Sequence, residues 1–253
     1  MTKIHLSALI SVHNEEHQLA ECLERLSFAD EIVVLLDKCT DGSRAVAERF
    51  TDRIFEGSWA KEGMRRNAGI DHCQGDWVFE IDADERVPEA LAAEIRHTIE
   101  TTTADWHEIL VDNYIGDKLV RWGWGASFGK AAYPGLFKKG VKEWGDARVH
   151  PSLKWSGAKG AMLTNRLDHY VDRNISDMIK RLDNYSTARA MDLRDAGETW
   201  GSTANNVRRL ISRFFKCYVS RKGYREGGYG FLIALFAGLY PLLSHLKSKL
   251  ENQ

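Results

Sequence analysis

Over roughly the first hundred residues, short apolar runs alternate with helical patterns, as in chains that build strand and helix in turn. Leu6–Val12 is a mostly apolar run of strand length. Leu19, Cys22, Leu23 and Leu26 follow at i, i+3, i+4 and i+7, the spacing of one helix face. Glu31–Leu36 reads as the next strand and Trp77–Ile81 as a third. Two helices are predicted between them, from about Gly42 to Phe50 and from about Ala60 to His72, each closing in a short polar turn. This order predicts a parallel sheet covered by helices.

From Trp106 to about Tyr170 the pattern changes to short extended pieces rich in Trp and Gly, among them Arg121-Trp122-Gly123-Trp124-Gly125. They predict an antiparallel extension of the sheet. The rest is helical, with one apolar stripe of Ile175, Met178, Ile179 and Leu182 and another of Val207, Leu210, Ile211, Phe214, Phe215 and Tyr218. The chain therefore divides into 1–170, a catalytic-type α/β domain, and 171–253, a helical extension.

The 253 residues suffice for a substantial core, and 43% hydrophobic with 28% charged residues is ordinary for a soluble globular protein. A net charge of -1 excludes a global pull toward nucleic acid, so basic surface must be local. It is concentrated between Val207 and Arg225, where Arg208, Arg209, Arg213, Lys216, Arg221, Lys222 and Arg225 occur with no acidic residue among them. Basic charge beside an apolar stripe predicts a helix lying in an anionic membrane surface. The alternative is a helix packed on its own domain or a partner subunit, with a solvated basic face. Tyr229–Leu243 is too short to span a bilayer comfortably, and Pro241 argues further against a simple spanning helix. Cys22, Cys39, Cys73 and Cys217 show neither a disulfide framework nor zinc-ligand spacing, which points to a reducing cytoplasm. Leu6–Val12 is too short for a signal-peptide core, and no secretion signal is expected.

The sharpest chemical feature is Phe79-Glu80-Ile81-Asp82-Ala83-Asp84-Glu85, an apolar strand ending in carboxylates two residues apart. On an extended backbone Asp82 and Asp84 point the same way and can approach one hard cation. Mg²⁺ or Mn²⁺ held by one or two carboxylates completes its shell with substrate phosphates. Taken alone, the same residues also suit a strand ending in a solvated acidic turn.

Four segments in fixed order resemble glycosyltransferase family two, the inverting enzymes of GT-A fold. Ser11-Val12-His13-Asn14-Glu15-Glu16 is similar to the opening strand and its Y-N-E-E turn, with His13 in the tyrosine position. Asp37-Lys38-Cys39-Thr40-Asp41-Gly42-Ser43 resembles the D-x-x-S-T-D-G-T segment, one residue shorter between Asp37 and Asp41. Arg65-Arg66-Asn67-Ala68-Gly69, then Gly75-Asp76-Trp77-Val78, resemble R-N-x-G and G-D-W-V leading into D-A-D-E. The resemblance covers roughly residues 4 to 170 and is nearest to the lipopolysaccharide-core β-glucosyltransferases.

It implies an α/β GT-A fold, a Rossmann-like mixed sheet flanked by helices, with the helical carboxyl-terminal extension added. Asn14, Glu15, Asp37, Arg66 and Asp82 would bind the donor nucleotide, and Asp84, Asp82 and His169 the Mg²⁺ or Mn²⁺. Asp146-Ala147-Arg148-Val149-His150-Pro151 resembles the subgroup's V-H-E segment, but Pro151 stands where its glutamate would be the base. Proline cannot accept a proton, so that role passes to Asp146, Glu143 or His150. Trp122, Trp124, Trp144 and Trp155 are candidates for stacking on sugar rings, or for ordinary packing. The expected reaction moves glucose or a related hexose from a UDP-sugar to a lipid-linked saccharide acceptor, lipopolysaccharide core first. The enzyme would be peripheral on the cytoplasmic face of the cell membrane, and a homo-oligomer is compatible with the sequence. The rivals are a transferase acting on a polyprenyl-phosphate or capsular acceptor, and a catalytically idle nucleotide-sugar-binding membrane adaptor.

Overall fold

The computed structural model describes residues 5–125, 128–198 and 201–251. In chain order the elements are β1 (Leu6–Val12), α1 (Leu19–Glu24), β2 (Glu31–Asp37), α2 (Ser43–Ala47), β3 (Ile54–Gly57), α3 (Glu62–His72), β4 (Trp77–Asp82), β5 (Glu85–Arg86) and α4 (Glu89–Thr101). They continue as β6 (Trp106–Ile115), β7 (Lys118–Val120), β8 (Ala132–Lys138), β9 (Lys142–Trp144), β10 (Leu153–Trp155), β11 (Arg166–Asp172), α5 (Ile175–Asp195), α6 (Thr203–Phe215) and α7 (Gly227–Leu250). The chain forms two compact units, Met1–Val111 with Ala132–Ala147 and Pro151–His169, and Asp112–Ala131 with Arg148–His150 and Tyr170–Gln253.

The main sheet runs in the order β3-β2-β1-β4-β8-β6-β11-β5, with β7 paired to the end of β6. β1 is parallel to β2 and β4, and β2 to β3, whereas β8 is antiparallel to both β4 and β6. This is the expected mixed α/β sheet, parallel first and antiparallel after Trp106. Its central strands are apolar on both faces because each face is covered. Leu6, Ala8, Ile10 and Val12 of β1 pack with Leu19, Leu23, Leu91, Ile95 and Ile99 from α1 and α4. Leu9 points the other way and packs with Val33, Val78, Ile70 and Cys73. The period of two thus allots alternate side chains to two helical layers. Gly69 of α3 is small for the same reason, since a Cβ there would come within 2.8 Å of the Leu9 side chain.

Three elements of the first hundred residues fall outside those predicted from the pattern, among them the two-residue β5. β3 is a four-residue, half-buried edge strand whose I-F-E-G sequence carries too little periodicity to read. α4 buries Leu91, Ile95 and Ile99 at i, i+4 and i+8 after Pro88.

In the second unit, α5, α6 and α7 enclose a core of Met178, Leu182, Cys217, Ile233, Ala234, Phe236, Ala237 and Tyr240, joined by Trp124 and Phe128. Asn174 and Ser202 cap α5 and α6, accepting from the Asp177 and Asn205 amides at 3.0 and 3.2 Å. α7 is the spine of this unit. The sequence predicted a run ending at Leu243, but the helix continues through Pro241 to Leu250. Residues Gly223–Leu250 are long and apolar enough to cross a membrane, yet more than half of the most apolar 18 residues within them are buried inside the protein. Gly238 lets α7 approach α6 closely, because a Cβ would lie 2.7 Å from the Leu210 carbonyl oxygen.

The two predicted stripes are split. Met178 and Leu182 are buried while Ile175 and Ile179 are exposed, and on α6 Val207, Ile211 and Phe215 are exposed while Phe214 and Tyr218 pack against the core. Arg213 is half-buried rather than solvated, and burial lowers the pKa of its guanidinium.

Candidate functional site

The carboxyl ends of β1, β2 and β4 carry the candidate donor residues, as expected for ligands of open α/β sheets. The loops after β1 and β2 are laced together. His13 Nδ1 lies 2.6 Å from the Asp37 carbonyl oxygen, and the Thr40 amide donates to Asn14 Oδ1 at 2.7 Å. Asn14 takes a left-handed φ of 57°, which asparagine tolerates better than most residues. The Glu15 amide donates to Ser43 Oγ at 2.9 Å and the Glu16 amide to Asp41 at 3.0 Å. Asp37 is held from two sides, accepting from the Trp59 amide at 3.1 Å and lying 3.5 Å from Arg65 Nη1.

A second group of residues fixes the end of β4. Arg66, on α3, donates from Nε to Glu62 at 2.8 Å, from Nη1 to Glu80 at 2.6 Å and from Nη2 to Asp82 at 3.1 Å. Glu80 also accepts from Lys142 Nζ at 2.7 Å, and the Tyr133 hydroxyl donates to its carbonyl at 2.9 Å. Burial alone would neutralise these groups, but mutual attraction wins. The carboxylates raise the Arg66 pKa well above its ordinary value against the pull of desolvation, and Lys142 and Arg66 lower that of Glu80 despite its burial. Asn67 and Trp144 exchange reciprocal hydrogen bonds of 2.8 and 2.9 Å, tying β9 to α3.

The strand stops at Asp82, and Ala83-Asp84 forms a turn before β5. Asp84 is therefore not a continuation of the extended strand, contrary to the i, i+2 expectation. Asp82 turns to Arg66, whereas Asp84 turns to His169, with Nε2 and Oδ2 3.3 Å apart. The two-residue pairing of β5 with β11, which sets His169 opposite Glu85, brings that histidine to the turn. The other oxygen, Asp84 Oδ1, is buried and has no hydrogen-bond partner. Desolvation is the main cause of a raised Glu15 pKa, with Asp84 and Asp41 adding to it. These acids share one field.

An orphaned carboxylate oxygen beside a histidine nitrogen, among further acids, suits a divalent cation. Among the described residues no group of three His, Cys, Asp or Glu could hold an ion unaided. The residues therefore fit an ion whose shell is completed by substrate phosphates and water.

Residues 7–132 match the glycosyl transferase family 2 profile, which takes in β1 to β7 but not Tyr133 of β8, β9 or β11. The chain belongs to glycosyltransferase family 2. It is 24% identical over 97% of its length to the lipopolysaccharide core biosynthesis glycosyltransferase LpsC of Rhizobium meliloti, covering 92% of that protein. An uncharacterised glycosyltransferase of Rickettsia conorii is also 24% identical, over 98% of this chain and 92% of that protein. In fold, this family 2 glycosyltransferase is similar to S. aureus TarS 1-349, with a TM-score of 0.52 and 11% identity over 97% of this chain and 90% of that one.

The three candidate bases of the glycosyltransferase differ in their surroundings. Asp146 follows β9, exposed, with Lys61 Nζ 2.6 Å from its carboxylate. Its segment is docked on α3, where the Gly63 amide donates to the Ala147 carbonyl at 3.4 Å. Glu143 sits between two inward-facing residues of β9, so it points to solvent and pairs with Lys154 at 3.3 Å. His150 lies in the second unit, edge-on to Tyr185 and Tyr240 with ring centroids 5.3 and 5.8 Å away.

The tryptophans are engaged in packing. Trp155 stacks on Trp106 at 4.2 Å, Trp124 is buried, Trp144 lies beside Arg66 and Lys142, and Trp122 lies under Lys222 and Arg225. Sequence reasoning missed Glu80, Lys142 and Glu62. A signal was present for Glu80 alone, a carboxylate inside an apolar strand that shares a face with Asp82.

Proposed function

We propose that the protein is an inverting, metal-dependent hexosyltransferase that uses a UDP-sugar, with a lipid-linked saccharide as acceptor. The observation that carries the donor site is the buried, unpartnered Asp84 Oδ1 facing the acidic field at the strand ends. Similarity to LpsC supports lipopolysaccharide core as the acceptor class, and a lipid-linked acceptor suits action at the inner face of the cell membrane.

Asp84 and His169, with Asp82 beside them, would hold Mg²⁺ or Mn²⁺. When bound, the ion would supply positive charge to the diphosphate leaving group. Asn14, Glu15 and Asp37 border the nucleoside, with Asp37 fixed by Trp59 and Arg65 so that it meets the ligand pre-oriented. Arg66 gives its donors to carboxylates and so serves the donor by positioning Asp82. Asp146 is the favoured base. The acceptor oxygen attacks the anomeric carbon, its proton passes to the Asp146 carboxylate, and the bond to the diphosphate breaks with its electron pair leaving on UDP. Residues 171–253 would form the membrane-associating extension.

A thermal-shift series with UDP-sugars, with and without Mn²⁺, tests this reading, because a ligand that binds only the folded state raises its stability. UDP-glucose should stabilise the parent only with Mn²⁺. Asp84→Asn should lose that shift and at least ~100-fold in transfer rate. Asp146→Asn should keep the shift while kcat collapses. If neither a UDP-sugar nor another nucleotide sugar stabilises the protein with either ion, the donor assignment is wrong.

A further inference from the structure

α6 has three sectors rather than two. Asn206 and Cys217, just past its end, are buried, and Leu210 and Arg213 are half-buried beside them. Val207, Ile211 and Phe215, at i, i+4 and i+8, form an outward ridge with exposures of 43%, 52% and 57%. Arg208, Arg209 and Lys216 follow on the adjoining side, all exposed. A soluble helix ordinarily buries its apolar stripe. Here a second apolar stripe is left outside.

The ridge is extended by neighbouring aromatic residues. Phe214, half-buried, makes ring contacts with Phe215 at 5.8 Å, Tyr218 at 5.4 Å and Phe231 at 5.6 Å, and Tyr218 reaches Tyr224 at 6.5 Å. Phe231, Tyr224 and Val219 are themselves about half exposed. The charge carried by this stretch of chain is of one sign. No acidic residue occurs from Gly201 to Arg225. Glu226, the next acid, accepts from the amides of Arg121 and Trp122 at 2.9 and 3.0 Å, and so faces the backbone. Lys222 and Arg225 lie over the Trp122 ring at 5.2 and 5.4 Å, adding cations at the patch's edge.

We propose that this face is a leaflet-insertion surface for an anionic bilayer. Val207, Ile211, Phe215 and Phe231 enter the boundary between headgroups and acyl chains, and Arg208, Arg209, Lys216, Lys222 and Arg225 meet lipid phosphates. α7 backs the ridge as a core helix and does not span. A symmetric contact with a second copy is disfavoured, because it would set these cations against one another and residues 201–225 carry no acid to compensate. The proposal deepens the reading of a lipid-linked acceptor and rests on it. Its readouts are independent of donor chemistry, so either can fail alone.

The full chain is sedimented with vesicles of phosphatidylglycerol and phosphatidylcholine, and with phosphatidylcholine alone. Ile211→Ser with Phe215→Ser should weaken binding to the anionic vesicles at least ~10-fold, the scale set by withholding two half-exposed apolar side chains from the acyl region. Arg208→Gln, Arg209→Gln and Lys216→Gln together should weaken it ~100-fold at low salt, with a smaller difference at high salt. Against the parent, which has eight tryptophans of its own, Phe215→Trp should add emission that is blue-shifted on vesicles and quenched by brominated acyl chains. Every variant should retain the Mn²⁺-dependent UDP-glucose shift if the donor reading holds. The proposal is overturned if the serine pair sediments like the parent, or if adding vesicles leaves the difference in emission between the Phe215→Trp variant and the parent unchanged from that in water. It is also overturned if the parent is a dimer that the serine pair converts to monomer.

Discussion

Glu80 is a fully buried carboxylate with two cations on it, Arg66 at 2.6 Å and Lys142 at 2.7 Å. Removing one partner of such a group strands the other charges in a low dielectric and costs about 3–5 kcal/mol. Glu80→Gln should therefore lower stability by about that amount and weaken donor binding, because Arg66 also aligns Asp82. The pH dependence follows from the lowered pKa of Glu80. Its contribution is fully present above the ordinary glutamate pKa and is lost as pH falls through its folded value. Denaturant melts across an acid series should show the gap between parent and Glu80→Gln closing toward low pH. A constant gap would mean that Glu80 does not owe its stabilising role to ionisation.

At the scale of elements, α3 does two things, presenting Arg66 on one side and docking the segment that carries Asp146 on another. Gly63 makes the second possible, since a Cβ there would overlap the Gly145 carbonyl oxygen. Backbone cannot swing aside as a side-chain tip can, so Gly63→Ala should cost about 1–3 kcal/mol. It should also lower kcat more than donor affinity if Asp146 is the base, and a thermal melt with steady-state kinetics would read both. Unchanged kcat in a destabilised variant would separate the segment from catalysis. The strands β1, β2 and β4 were legible because runs buried on both faces have strand length and turn-rich flanks. Asp84 was legible as a site residue but not in its geometry, because a turn after Asp82 breaks the extended register silently. Lys142 was not legible at all. It lies 62 residues from Glu80 along the chain, and only the folded sheet brings the two together.

At the scale of the molecule, each unit has its own core, one on the sheet and one around α7. The interiors also decide what reagents can touch. Cys22, Cys73 and Cys217 are buried in them, and Cys39 is half-covered, with Sγ donating to the Val12 carbonyl at 3.5 Å. Desolvation raises all four thiol pKa values, that of Cys73 to about 12. Alkylation needs the thiolate, so little reactive sulfur exists at neutral pH. The native protein should take up maleimide slowly at every cysteine and reach four equivalents only on unfolding, as mass spectrometry of timed reactions would show. Rapid uptake of one equivalent by the native fold would expose Cys39 as reactive. Chemically quiet native sulfur makes the natural sequence a ready background for spectroscopic labels: one cysteine introduced on the α6 ridge would outpace the rest, and its probe would report the depth of that ridge in a leaflet.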